Sequence, residues 1–237
     1  MSGHLVVVGL GPGDARYLTP EADAALKDTA ALYGYAGYLA RIPAREGQAR
    51  HASDNREERT RAAAALHHAA QGARVAVVSG GDPGVFAMAA AVCEEIEHGP
   101  EIFRTLDITI VPGITAMLAV AARIGAPLGH DFCALSLSDN LKPWPLIERR
   151  LDAAAGAGFV IALYNPVSQS RPWQFTRAME RLAGILPPAT PTLDRAGAAE
   201  ADMATLVIVG SRETRLVQRA GLAPLVYTPR SAAVVNA

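Results

Sequence analysis

Three short segments carry the residue types that hold small ligands with backbone groups. Gly9-Leu10-Gly11-Pro12-Gly13-Asp14, Gly80-Gly81-Asp82-Pro83-Gly84-Val85-Phe86 and Val111-Pro112-Gly113-Ile114-Thr115-Ala116 each follow or end a run rich in β-branched residues. Glycine permits positive φ and lets a ligand approach the main chain closely. The first segment is spaced G-x-G-x-G, not G-x-G-x-x-G, and helix signals resume only near Pro20, so it departs from the dinucleotide fingerprint. No Gly-Lys-Ser/Thr follows it, which excludes a nucleotide P-loop. Alone it reads equally well as a tight turn between strand and helix. Asp82 suits a cationic group or a hydroxyl, or else caps a helix beginning at Val85; Thr115 is an N-cap or a ligand hydroxyl. On neighbouring parallel strands the three loops converge on one crevice, where open α/β sheets bind their ligands. Together they predict a small ligand with polar and apolar parts.

The second half offers polar and aromatic groups at two further strand ends. Ser136-Leu137-Ser138-Asp139 is followed by Pro143-Trp144, and Leu163-Tyr164-Asn165-Pro166 by Arg171-Pro172-Trp173. Trp144 and Trp173 are core anchors or surfaces for a large planar ligand. The six histidines (His4, His51, His67, His68, His98, His130) form no H-x-x-x-H or HExxH arrangement, so no metal site is expected, and His67 and His68 read as surface residues. Cys93 and Cys133 lie far apart in apolar runs that read as core. They exclude a cysteine-ligated iron–sulfur cluster within one chain and point to a reducing compartment.

The elements that must position these residues are legible as periodicity. Six strands are predicted, at Leu5–Val8, Arg74–Ser79, Ile108–Val111, Cys133–Leu137, Phe159–Tyr164 and Leu206–Val209, all apolar enough to be covered on both faces. Helices are predicted from Pro20, with Thr19 as N-cap, and over Arg56–Ala70, Val85–His98, Thr115–Ile124, Leu146–Ala155 and Pro172–Leu182. The class is α/β, in two α/β domains with mainly parallel or mixed sheets. The turn chemistry changes between Pro112 and Phe132, which divides the chain into an N-terminal domain, 1–115, with the glycine-rich loops and a C-terminal domain, 116–237. Leu186–Ala204 reads as surface connection.

At 237 residues, half of them hydrophobic and 19% charged, the chain buries a sizeable core. The formal net charge is −1, and Lys27 and Lys142 are the only lysines among 22 basic residues scattered along the chain. Neither a nucleic acid nor an anionic membrane surface is an expected partner. No signal peptide or membrane span is read from the sequence, and a soluble cytoplasmic protein is expected.

Val8-Gly9-Leu10-Gly11-Pro12-Gly13-Asp14 with Leu18-Thr19, then Gly80-Gly81-Asp82-Pro83, then Pro112-Gly113-Ile114-Thr115-Ala116, in that order and spacing, resemble the tetrapyrrole methylase family. Gly34-Tyr35, Leu135–Asp139 with Pro143-Trp144, and Ala162–Pro166 with Arg171-Pro172-Trp173 resemble its branch that methylates precorrin-3B at carbon 17 and contracts the ring to precorrin-4 in cobalamin synthesis. The similarity spans essentially the whole chain. It implies a homodimer with S-adenosylmethionine (SAM) folded in a cleft between the domains and S-adenosylhomocysteine as product, without metal. By the same resemblance Pro12, Gly80, Gly81, Asp82, Val85, Thr115 and Ala116 border the cofactor, and Asn165 lies where the second domain closes over the adenosine. Ring contraction needs proton handling, for which Asp139 and Asp14 are the candidates, with Arg171 and Trp144 on the tetrapyrrole; each has an equally good reading as a cap or core residue. The cobalt-bound substrate of the anaerobic pathway, a sibling methylase with another substrate, and a non-catalytic binding module remain open. One departure stands out: the family carries a further strand and hairpin where Pro191 here runs straight into Thr192.

Overall fold

The computed structural model describes residues 3–54, 56–167, 172–186, 201–202 and 205–231. The chain divides into two compact units, Met1–Ala116 and Met117–Ala237. The first is built on five parallel strands, β1 (His4–Gly9), β2 (Ala31–Tyr35), β3 (Ala49–Ser53), β4 (Arg74–Ser79) and β5 (Asp107–Val111), in the order β3-β2-β4-β1-β5. The Leu5–Val8 run alternates between two apolar layers. Leu5 and Val7 pack with Ala62, Leu66 and Val92, from α3 (Glu58–Ala70) and α4 (Met88–His98). Val6 and Val8 pack with Ala22, Leu26 and Leu39, from α1 (Pro20–Lys27) and α2 (Ala36–Leu39). A strand buried on both faces has no polar side to show, which is why β1 and β4 read as unbroken apolar runs.

Register fixes the level of the loops. Val8 pairs with Val78 on one side and Val111 on the other, and Gly9 with Ser79, so β4, β1 and β5 end side by side. Thr19 caps α1 as expected, its Oγ1 accepting from the Ala22 amide at 3.1 Å with Pro20 in the first turn.

Several expectations are corrected. β2 and β3 were not read as strands: β2 is interrupted by Gly34, and β3, Ala-Arg-His-Ala-Ser, is a polar edge strand without an apolar run. β5 is an edge strand too, with Ile110 48% exposed, so it is not covered on both faces. α4 starts at Met88, three residues beyond the expected Val85. Cys93 is exposed, because neighbouring Val92 takes the core-facing position of α4 and the next residue turns about 100° away.

The second unit has two small sheets. β7 (Phe132–Ser136) and β8 (Val160–Tyr164) are parallel and β9 (Val207–Val209) is antiparallel to β8; the hairpin β10 (Arg215–Arg219) and β11 (Leu222–Tyr227) adds the two-residue β6 (Gly125–Ala126). The hairpin was missed because its residues are largely exposed and arginine-containing. α5 (Ala116–Ile124), α6 (Trp144–Gly156) and α7 (Trp173–Ala183) complete the helices, and Ile147, Leu151, Ile161, Leu163, Phe175 and Leu182 form the core. The Pro191-Thr192 junction and most of the connection expected over Leu186–Ala204 lie outside the described residues.

Arg181 on α7 forks onto Asp152 of α6, Nε to Oδ1 and Nη2 to Oδ2, both at 2.5 Å. These hydrogen bonds hold the Asp152 carboxyl below the ordinary value of 3.8. A depressed folded value means that the pair stabilises fully above pH 3.8 and loses its effect as pH falls through the folded value. Asp152→Asn should therefore melt below wild type at neutral pH and converge on it in acid; parallel melting curves across pH would contradict this.

Candidate active site

At the C-terminal edge of the five-stranded sheet the three glycine-rich loops are stitched together through their main chains. Gly11 and Gly81 exchange both hydrogen bonds, Gly11 N to Gly81 O at 3.1 Å and Gly81 N to Gly11 O at 2.9 Å. The Asp82 carboxylate accepts from the Gly84 amide through Oδ1 at 2.8 Å and from the Gly113 amide through Oδ2 at 3.0 Å. Asp82 thus joins the second loop to the third and does not cap α4, which begins six residues further on. The approach is too close for side chains: a Cβ on Gly113 would lie 2.2 Å from the Gly81 carbonyl oxygen.

Gly81 itself is different. It sits at φ +66°, and a Cβ there would meet nothing nearer than Thr115 Cα at 3.8 Å, the Ala116 amide nitrogen at 3.9 Å and the Ile114 carbonyl at 4.0 Å. There is thus room beside Gly81 for a methyl-sized group, bounded by the main chain of Ile114, Thr115 and Ala116. Pro12 and Val85 are half-buried on the flanking loops and Thr115 is buried. Gly80 has another role: its missing side chain makes room for the Tyr38 ring, whose Cζ lies 2.7 Å from the ideal Cβ position.

Phe86 closes the second loop in a left-handed conformation, φ 53°, with 52% of its surface exposed. A bulky residue there is strained by about 1–2 kcal/mol. Phe86→Gly should consequently be more stable to urea than Phe86→Ala by about 1 kcal/mol, since alanine keeps the strain and glycine does not. Equal stabilities would show that the backbone relaxes.

In the second unit Asn165 is likewise left-handed, φ 51°, and its Nδ2 donates to Ser136 Oγ at 3.0 Å, tying the ends of β7 and β8. Asp139 is half-buried on the loop after β7. Close to it in sequence, Lys142 has its pKa lowered, chiefly by burial and then by Arg150, a perturbation of the kind that functional groups show and that the sequence did not reveal. Trp144 packs on the core of this unit and meets Trp173 edge-on, with 4.8 Å between ring centroids, and its Nε1 is buried without an acceptor. Trp144 is thus held by packing and half-buried, while Trp173 is 45% exposed. Arg171 lies outside the described residues.

Asp14 turns out to be a local cap. It accepts from the Arg16 amide at 2.9 Å at the start of the 3-10 turn Ala15–Tyr17 and pairs with Arg16 Nη2 at 2.8 Å. Arg41, which the sequence offered no reason to single out, donates through Nη2 to the carbonyls of Leu10 and Gly11 at 2.7 and 3.0 Å. Among the described residues no group of three or more His, Cys, Asp or Glu could hold a metal ion, and no helix is long and apolar enough to cross a membrane.

A parallel sheet whose adjacent strand ends are stitched together by glycine-rich loops, joined to a second α/β unit, defines a two-unit α/β protein with the kind of strand-end site at which open α/β sheets bind small ligands. The chain belongs to the tetrapyrrole (corrin/porphyrin) methylase family, whose sequence profile matches residues 4–201. A Sinorhizobium protein named precorrin-3B C(17)-methyltransferase is 57% identical over 247 aligned positions, covering 97% of both chains. A Salmonella typhimurium protein named as a probable cobalt-factor III C(17)-methyltransferase is 36% identical, over 94% of this chain and 99% of that one. The crystal structure of the methyltransferase CobJ superposes with a TM-score of 0.89 at 50% identity, covering 96% of this chain and all of that one.

Proposed function

We propose that this enzyme transfers a methyl group from SAM to carbon 17 of precorrin-3B, with contraction of the ring to precorrin-4, in cobalamin biosynthesis. The observation that carries the reading is 57% identity over nearly the full length of a relative named precorrin-3B C(17)-methyltransferase, against 34–40% for relatives named for cobalt-factor III. The room beside Gly81, bounded by the main chain of Ile114, Thr115 and Ala116, supports a ligand at these strand ends.

Bound there, SAM supplies an electrophilic methyl group on a sulfonium. The protein's task is to hold that methyl in line with the carbon nucleophile, and positioning of this kind supplies much of the barrier reduction without a covalent catalyst. Pro12, Gly81, Asp82, Val85, Thr115 and Ala116 border the cofactor in this reading, and Gly80 contributes by letting Tyr38 pack against its loop. Asp139 moves the proton that contraction requires. Asp14, already paired with Arg16, keeps its loop in shape. Arg171 pairs with a carboxylate of the tetrapyrrole in this reading, and the exposed ring of Trp173 offers it a planar surface. A cytoplasmic homodimer completes the proposal, supported by the exposed apolar side chains Leu216, Val217 and Leu222 on the β10–β11 hairpin.

Incubation with precorrin-3B and methyl-labelled SAM, in parallel with cobalt-factor III, tests the assignment. Label in a contracted precorrin-4 from the metal-free substrate is expected; turnover of the cobalt substrate alone, or of neither, would contradict it.

A further inference from the structure

Arg41, Arg50 and Arg61 of the first unit are buried or partly buried and hold main-chain carbonyls or other neutral acceptors, and Arg41 is left incomplete. Arg50 donates to the carbonyls of Leu39, Ile42 and Pro43. Arg61, 5% exposed, uses every nitrogen: Nε on Ser53 Oγ, Nη1 on Met88 Sδ and Nη2 on the Asp54 carbonyl. Both are structural braces. Arg41 engages the protein through Nη2 alone. Its Nε is buried without an acceptor, and Nη1 has no partner among the described residues. No carboxylate among the described residues pairs with it.

Its position gives that free edge a meaning. The Gly11 carbonyl accepts from Arg41 Nη2 at 3.0 Å and from the Gly81 amide at 2.9 Å, so the guanidinium stands one carbonyl away from the space beside Gly81. Burial disfavours the charge here and lowers its pKa, an effect that Tyr38 opposes. A half-buried guanidinium with a free N–H edge is matched by an anionic oxygen, and the charge-assisted hydrogen bond gains strength from desolvation.

We propose that Arg41 Nη1 receives a carboxylate of the ligand bound over the first glycine loop. The inference rests on the proposed function, which brings two carboxylate sources to this edge: the amino-acid end of the cofactor and the acidic side chains of the tetrapyrrole.

The test compares wild type with Arg41→Gln and Arg41→Lys in the full chain. Calorimetry is run with S-adenosylhomocysteine and with its analogue lacking the carboxylate, alongside thermal melting and the KM for precorrin-3B. If the carboxylate is the cofactor's, Arg41→Gln weakens S-adenosylhomocysteine by about ten- to a hundredfold, leaves the analogue unchanged, and Arg41→Lys recovers part of the loss. If it is the tetrapyrrole's, both nucleosides bind as in wild type and KM rises by a similar factor. Equal weakening of both nucleosides with a lower melting point would make Arg41 a brace like Arg50 and overturn the proposal, as would no change in any readout. Failure of the wild type to bind S-adenosylhomocysteine would instead overturn the functional reading beneath it.

Discussion

Asp82→Ala is expected to weaken S-adenosylhomocysteine binding by about a hundredfold or more. Its two oxygens hold amides in two different loops, Gly84 in its own and Gly113 in the next. Hydrogen bonds to a charged acceptor contribute about 1.5–3 kcal/mol each, and about 1.4 kcal/mol is tenfold in affinity, so losing both predicts this size. Asp82→Asn keeps one oxygen acceptor and should fall between the two. Calorimetry reads the series directly. Wild-type affinity in Asp82→Ala would separate the stitching of the loops from cofactor binding and remove the residue from the site.

The second large effect is expected at Asp139. If its carboxylate moves the proton during contraction, Asp139→Asn should lower formation of precorrin-4 by about 10²–10⁴-fold, the usual consequence of losing a general acid or base. Methyl transfer, which depends mainly on alignment, should survive better and leave a methylated, uncontracted product. Mass analysis of the pigment distinguishes the two steps. Precorrin-4 formed at the wild-type rate would return Asp139 to a turn residue, and would shift attention to Lys142, whose pKa is lowered by burial.

What was legible in the residues follows from burial. β1 and β4 lie at the centre of a parallel sheet and are written as Leu-Val-Val-Val and Val-Ala-Val-Val, whereas the edge strand β3 has one face for water and shows no comparable run. The three loops were visible because close main-chain approach demands glycine, as the 2.2 Å clash at Gly113 shows. What those glycines and acids do within the loops was not. Only coordinates show that Gly80 yields to Tyr38, that Asp82 bridges two loops and that Asp14 serves Arg16. Arg41 was invisible for a related reason: its partners are carbonyl oxygens, which every residue carries, so no side-chain pattern announces it. Trp144 and Trp173 were indistinguishable as proline-preceded tryptophans, and only packing separates the anchor from the exposed ring.

Whether the strand-end loops of the first unit hold the cofactor is decided by a crystal structure of the protein with S-adenosylhomocysteine. Ligand density is expected beside Gly81, against the main chain of Ile114, Thr115 and Ala116. Density at another place, with the space beside Gly81 filled only by solvent, would contradict this placement.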